Sequence, residues 1–471
     1  MDQKHKIGAI VLAAGKGKRF HGAIPKVLYP LLGKPVLNYI LDSIKKFHQN
    51  SSTEVAIGIT VGHKKEMLIK HLEQDNYYYD IGEQKEQLGT AHAVTSFLQA
   101  NPKYWDFEYT LICCGDTPLL KSELYESMYE RLKNHSKLDA IVATFEAPDS
   151  FGYGRIVHAG NTFCIKEEKD ASSEERNIKE VNAGLYLVKT SFLKKYLSSI
   201  ENKNNSAEFY LTDLFQMREN VESLNFIHHQ HFLGINNYAQ LVEARTLLRH
   251  EKNLSLLQNG VDLMDPVTTY IDYEVNIGSG SIIYPNVVIE GKSLIAEDCV
   301  IESNCVIKHS VIGTNVEIYA SSYLEDCKVA SMAHIGPFAR LRPKADIGEN
   351  CKIGNFVEVK KSQLAKGVKV SHLSYVGDAI IGENTNIGCG FVTCNYDGVN
   401  KHLSKIGKNS FIGSDCQVVA PIEIGDEVYI GSGSTINKNV PNGAFAIARE
   451  RQVNKEGMAK KFLPAKKEKN N

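Results

Sequence analysis

The sequence predicts two architectures in tandem: an α/β domain with a parallel sheet covered by helices on both faces, then a parallel β-helix. Three observations predict this. Short apolar strands alternate with longer helical patterns from residue 7 to about 235. Aliphatic residues then recur every sixth position, through Ile277, Ile283, Ile289, Ile295, Ile301 and Ile307, and in a second register through Ile406, Ile412, Val418, Ile424, Ile430 and Ile436. Between the two patterns lies an amphipathic helix carrying Leu241, Ala244, Leu248 and Leu254 and closed by Gly260 and Pro266. The expected divisions are 1–235, a linker helix at 236–262, a β-helix at 263–456 and a basic tail at 457–471.

A formal net charge of −1 over 471 residues, with 43% hydrophobic content, gives no field that would draw the chain to nucleic acid or membrane. Small molecules are the expected partners. No apolar run reaches the length of a membrane span, and the polar start Met1–Lys6 leads straight into a strand, so a cytoplasmic location is expected. The ten cysteines are scattered without any C-x-x-C pair, which predicts reduced, mostly buried fillers and no zinc site.

In the first half, strands are expected at Ile7–Leu12, Val55–Val61, Tyr109–Cys114 and Leu185–Val188, with a helix around Val36–Phe47. The first strand ends in Ala13-Ala14-Gly15-Lys16-Gly17-Lys18-Arg19, and Pro25-Lys26 follow. Glycines let backbone N–H groups wrap a phosphate, and the cations neutralise it, so the loop reads as a triphosphate grip. Its spacing fits neither the Walker pattern, which needs Ser or Thr where Arg19 stands, nor the dinucleotide pattern, which needs glycine where Phe20 stands.

Gln84 to His92 opens an Ala-rich helix through Gly89-Thr90, and either caps that helix or offers an amide and free N–H groups to a base. Asp116, at the end of the strand ending Cys113-Cys114, is placed to hold Mg²⁺ against a triphosphate or to cap the helix after Pro118. Phe151-Gly152-Tyr153-Gly154-Arg155, Glu167-Glu168-Lys169-Asp170 and Val181-Asn182-Ala183-Gly184 suit a sugar pocket or plain turns.

In the second half, a six-residue period means short strands forming the three sides of a prism with aliphatic residues pointing inward. Glycines after those residues, at 278, 407, 413, 425 and 431, suit tight corners. Such a rod has little interior for a ligand, so sites should lie between copies, and a trimer suits three sides. A purely structural stem is the competing reading. The period slips at Cys394–Lys401, and Arg342, Lys360, Lys361, His372 and Tyr375 lie just before that excursion. Cations bind phosphate and imidazole moves protons. The residues from Lys460, with Lys466, Lys467 and Lys469, read as a solubilising tail.

Together these motifs closely resemble the GlmU family of bifunctional N-acetylglucosamine-1-phosphate uridylyltransferases and glucosamine-1-phosphate N-acetyltransferases, from about Ile7 to Arg449. The resemblance implies a Rossmann-like nucleotidyltransferase domain followed by a left-handed β-helix of hexapeptide repeats. It implies that Leu12, Ala13, Ala14, Gly15, Lys26, Gln84, Gly89 and Thr90 bind UTP and that Asp116 and Asn236 hold Mg²⁺. Gly154, Glu167, Asn182 and Asn236 would bind the acetylated sugar phosphate, with Lys26 and Arg19 aligning reactants. In the second half it implies His372 as general base, Arg342, Lys360, Tyr375 and Asn386 around glucosamine-1-phosphate, and Cys389, Asn395, Tyr396, Ser414, Ser432 and Arg449 along acetyl-CoA between subunits of a homotrimer. Lys18, Cys114, Cys389 and Ser432 depart from the usual Thr, Tyr and alanines, and Cys389 predicts sensitivity to thiol reagents. Two other readings are a sugar nucleotidyltransferase whose β-helix serves assembly or regulation, and an inactive regulatory subunit. His372 with the Asn395-Tyr396 loop counts against the first, and intact Lys26, Asp116 and His372 count against the second.

Overall fold

The computed structural model describes residues 6–15, 17, 20, 24–50 and 53–463. Lys16, Lys18, Arg19 and Lys466 to Lys469 lie outside the described residues. The chain divides into two compact units, Met1–Glu251 and Lys252–Asn471. No helix among the described residues is long and apolar enough to cross a membrane.

In the first unit, alternation along Lys6–Leu12 sends Ile7, Ala9 and Val11 into one apolar layer and Ile10 into the other. Helix Val36–Asn50 covers the first layer because Leu37, Ile40, Leu41 and Ile44 recur at helical spacing, and helix Thr90–Ala100 covers the second through Ala91, Val94 and Phe97. The central sheet runs in the order Val221–Phe226, Ala140–Glu146, Glu180–Lys189, Tyr109–Cys114, Lys6–Leu12, Glu54–Val61, Asp80–Glu83. It is mixed, not wholly parallel: Glu180–Lys189 runs against both neighbours. The reason is its connection, since the chain reaches that strand from the hairpin Arg155–Ala159 and Thr162–Lys166 without the helical crossover a parallel strand needs.

The helix between the two patterns spans Tyr238–Gln258 and buries Leu241, Ala244 and Leu248. Leu254 is exposed, contrary to the expected stripe, because six residues after Leu248 is off the 3.6-residue face; Leu256 and Asn253 are buried instead.

The second unit is a left-handed β-helix whose three faces carry 11, 10 and 9 strands, all paired in parallel. On the first face the core column runs Ile283, Ile301, Ile318, Ile335, Ile353, Val370, Ile387, Ile412, Ile430, one residue per coil. The second face holds Arg340–Leu341, Glu358–Lys360 and Tyr375–Gly377. The corners correct the reading of the glycines. The left-handed backbone there is supplied mostly by other residues, such as Asn286 (φ 63°), Asn350 (φ 56°) and Phe356 (φ 57°). Gly278, Gly407, Gly413 and Gly425 instead clear the next coil: a Cβ on Gly413 would stand 2.5 Å from the backbone N of Ser432. All ten cysteines are free, and Cys299, Cys305, Cys327, Cys351 and Cys416 fill the rod's core.

Candidate active sites

At the carboxyl ends of the central strands, Leu12, Ala13, Ala14, Gly15, Lys26, Gln84, Gly89 and Thr90 line one cavity, with Gln87 and Glu208 completing its wall. Gly89 (φ 121°) opens helix Thr90–Ala100 with no side-chain cap, and a Cβ on it would strike the backbone of Phe209. The Thr90 hydroxyl accepts the Leu211 N–H at 2.9 Å, and the buried Gln84 amide donates to the Gly89 carbonyl at 3.0 Å. The expected base reader thus also holds the glycine turn.

A second cavity, of about 690 Å³, is lined by Gly154, Glu167, Asn182 and Asn236 together with Phe151, Tyr153, Thr117 and Gln240. The strand Glu180–Lys189 shifts register between Asn182 and Tyr186, and this bulge turns Asn182, Ala183 and Gly184 to the cavity. Asn182 donates to the Tyr186 hydroxyl at 2.7 Å and accepts the Gly184 N–H at 3.1 Å. Burial pushes the Glu167 carboxyl above the usual range, and Thr212 donates to it at 3.0 Å.

The two cavities share Lys26, Cys114 and Asp116. The Lys26 ammonium is paired with Asp116 and donates to Asn236 Oδ1 at 3.0 Å. Asp116 therefore serves as a charge partner and not as a helix cap; helix Ser122–Asn134 follows an uncapped Lys121.

In the rod, residues two positions after the core residue of each coil on the first face form an edge column: Asn355, His372, Cys389, Ser414 and Ser432. At about 4.8 Å per coil, Ser432 stands roughly 14 Å along the axis from His372. The register puts Ala448 next in this column, and Arg449, one residue further, packs beside Gly433. His372 is exposed, with Nδ1 2.7 Å from Asn355 Oδ1.

The residues expected around the acetyl acceptor divide between faces: Asn386 lies on the first with His372, while Lys360 and Tyr375 lie on the second. Arg342 follows that second face and is paired with Glu358 at 2.8 Å. Lys401 stands against Lys360 and, with burial and Arg342, holds its ammonium below the ordinary lysine range. The excursion is a small hairpin bridged at Tyr396 and Lys401. Asp397 pins it by accepting the Val399 and Asn400 N–H groups, and the buried Asn395 ties it to Asp378 at 2.6 Å.

The MobA-like NTP transferase domain matches residues 9–249, the GMPPB C-terminal domain 323–418 and the bacterial transferase hexapeptide of six repeats 404–438. The bifunctional protein GlmU of Geotalea uraniireducens (strain Rf4) is 41% identical over 461 residues, 96% of this chain and 98% of the relative. That of Clostridioides difficile (strain 630) is 42% identical over 460 residues, covering 96% and 97%, and that of Shouchella clausii (strain KSM-K16) is 40% identical over 462, covering 96% and 98%. The chain belongs to the GlmU family. It is a bifunctional enzyme, a uridylyltransferase and acetyltransferase, and the readings with a merely structural rod or an inactive chain fall.

In this GlmU member the departing residues are located as follows. Cys114 is half-buried where the two cavities meet, and burial with Asp116 nearby pushes its thiol up to about 12. Cys389 and Ser432 stand in the edge column, Cys389 half-buried. Sequence reasoning missed Asn355, and it named Gln87 and Lys401 only within their segments, without a site role of their own. A register of 17 residues between Asn355 and His372 was the available signal for the first.

Proposed function

We propose that the chain makes UDP-N-acetylglucosamine in two steps, acetyl transfer from acetyl-CoA to glucosamine-1-phosphate and then UMP transfer from UTP to N-acetylglucosamine-1-phosphate. The partners are these small molecules, in the cytoplasm, with no nucleic acid or membrane. The observation that carries the reading is the meeting of two cavities at Lys26 and Asp116, which suits a nucleotide and a sugar phosphate bound end to end.

In uridylyl transfer a phosphate oxygen of the sugar phosphate attacks the α-phosphorus of UTP, and the bond to the β-phosphate breaks to release pyrophosphate. The chain's own work is alignment and charge compensation: the loop Leu12–Gly15 and Gly89-Thr90 seat the nucleotide, Glu167, Asn182 and Gly154 the sugar, and Lys26 offsets phosphate charge. Arg19 is assigned the same role. Asp116 and Asn236 both direct oxygens at the Lys26 ammonium, a donor set that fits Mg²⁺. No cluster of three or more His, Cys, Asp or Glu side chains exists among the described residues, so the remaining ligands would be phosphate and water, as Mg²⁺ prefers. Bound there, the metal would neutralise charge developing on the phosphates.

In acetyl transfer, Nε2 of His372 takes a proton from the amine of glucosamine-1-phosphate, the nitrogen forms its bond to the thioester carbon, and the proton passes to the departing CoA thiolate. Arg342, Lys360 and Tyr375 would hold the phosphate and Asn386 the sugar. Cys389, Asn395, Tyr396, Ser414, Ser432 and Arg449 would flank acetyl-CoA. The division of acceptor residues between two faces supports a site completed in a homotrimer, as does an exposed apolar corner where Phe338 and Phe356 stack at 5.3 Å beside Leu373.

The test is to supply glucosamine-1-phosphate, acetyl-CoA, UTP and Mg²⁺ and follow thiol and pyrophosphate separately. His372→Ala should abolish thiol release alone. Asp116→Ala, or chelation of the metal, should abolish pyrophosphate release from ready-made N-acetylglucosamine-1-phosphate alone. Absence of either signal in the unmodified enzyme overturns that half of the reading.

A further inference from the structure

One wall of the larger cavity of the first unit, Phe151–Gly154, is an irregular loop with Gly152 in the left-handed region at φ 86°. A loop of this kind holds one shape only if its backbone polar groups are tied. Phe151 N–H is held by Asp149 Oδ1 at 3.0 Å and Tyr153 N–H by the Ser150 carbonyl at 3.2 Å. The Gly154 carbonyl accepts the Asn182 N–H at 2.8 Å. Two further ties converge on one ion pair. Glu168 Oε2 accepts the Gly152 N–H at 3.0 Å and Arg155 Nη2 at 2.7 Å, while Arg155 Nη1 donates to the Tyr153 carbonyl.

The Arg155 side chain is only 2% exposed, so its charge depends on Glu168. Its Nε has no partner. Glu168 is fixed in turn from outside the loop, since Arg176 donates to its carbonyl at 3.3 Å and approaches its carboxylate at 3.7 Å. The Gly152 N–H, then Arg155 and Arg176, hold the Glu168 carboxyl below the usual range. The preceding residue, Glu167, lines the same cavity with its carboxyl beside the loop, where a Cβ on Gly154 would stand 3.6 Å from it. The pair therefore fixes the loop against the strand end that carries Glu167.

We propose that Glu168 and Arg155 are positioning residues for uridylyl transfer, bolting the Phe151–Gly154 wall to the strand end that carries Glu167 and so fixing affinity for the sugar phosphate. Neither side chain lines the cavity, and neither is assigned a contact with substrate. The inference rests on reading this cavity as the site of N-acetylglucosamine-1-phosphate.

The experiment is steady-state pyrophosphate release by the full chain, varying UTP and N-acetylglucosamine-1-phosphate in turn, with Glu168→Ala, Glu168→Gln and Arg155→Lys. Glu168→Ala should raise KM for the sugar phosphate about tenfold, the scale of one charge-assisted hydrogen bond, with KM for UTP and kcat within about twofold. Glu168→Gln keeps an acceptor for Gly152 and should recover most of the loss. Thiol release by the second unit, with a thermal melt, reports folding; if Glu168→Ala does not fold, the two milder variants decide. An unchanged sugar-phosphate KM in the folded variants, or an equal rise in both KM values, overturns the proposal. An unmodified enzyme inactive on this sugar phosphate would instead overturn the reading of the cavity.

Discussion

Nδ1 of His372 lies 2.7 Å from Oδ1 of Asn355, its partner one coil earlier in the rod. An amide oxygen only accepts, so Nδ1 carries the proton and Nε2 is left free to accept one, as the proposed role of general base requires. A carboxylate in that position would also hold the ring in place but would stabilise imidazolium, which cannot accept the substrate proton.

Asn355→Ala should therefore lower kcat of acetyl transfer by about 10- to 100-fold, the usual scale for losing an orienting partner. Asn355→Asp should retain orientation yet move the acid limb of the pH–rate profile upward by about one unit or more, because a nearby negative charge raises the imidazole pKa. A pH series of thiol release on both variants checks this.

Glu167 gives a pH dependence of stability with a definite sign. Its carboxyl titrates above the usual range because it is buried, so between the ordinary value and its own the folded chain keeps a proton that the unfolded chain has lost. Stability of the first unit should fall as pH rises through that window. Glu167→Gln keeps an acceptor for Thr212 and should raise the melting temperature at neutral pH by about 2–4 °C, as roughly 1 kcal/mol does for a unit of this size. It should also weaken sugar-phosphate binding. Calorimetry at several pH values with KM measurements reads both effects.

Alkylation should distinguish the two halves. The Cys114 thiol is pushed up to about 12 and stays protonated near neutrality, whereas attack on iodoacetamide requires thiolate. Pyrophosphate release should survive treatment. Thiol-linked loss of acetyl transfer should trace to Cys389, be prevented by acetyl-CoA and vanish in Cys389→Ala.

The rod glycines at 278, 407, 413 and 425 provide clearance, not turning, and the two roles separate by substitution. Gly278→Ala would place a Cβ 2.6 Å from the backbone N of Glu297 and should cost about 1–3 kcal/mol. Asn286→Gly at a left-handed corner should be close to neutral, since relief of about 1–2 kcal/mol offsets the added freedom of glycine in the unfolded chain. Thermal melts of the second unit compare them.

What was legible in the sequence was whatever a one-dimensional period encodes. The six-residue recurrence of Ile277 to Ile307 required short inward-facing strands, and apolar strands such as Ile7–Leu12 alternating with helical patterns required a sheet covered on both faces. The direction of Glu180–Lys189 was hidden because it depends on the connection, not on the strand's own residues. The glycines of the rod misled because what they avoid is the backbone of the next coil, about 18 residues away. Asn355 escaped notice, and the partnerships of Lys401 with Lys360 and of Arg155 with Glu168 stayed hidden, for the same reason: each matters through a neighbour that only the folded register supplies.

The edge column from His372 through Cys389, Ser414 and Ser432 makes the rod a ruler. Its graduations are whole coils, each about 4.8 Å. Deleting or inserting one complete coil between His372 and Arg449 would keep the parallel stacking while changing the span between these two residues by one division, so, on the proposed assignment of this edge to acetyl-CoA, the length of acyl carrier it accommodates is set by the number of coils.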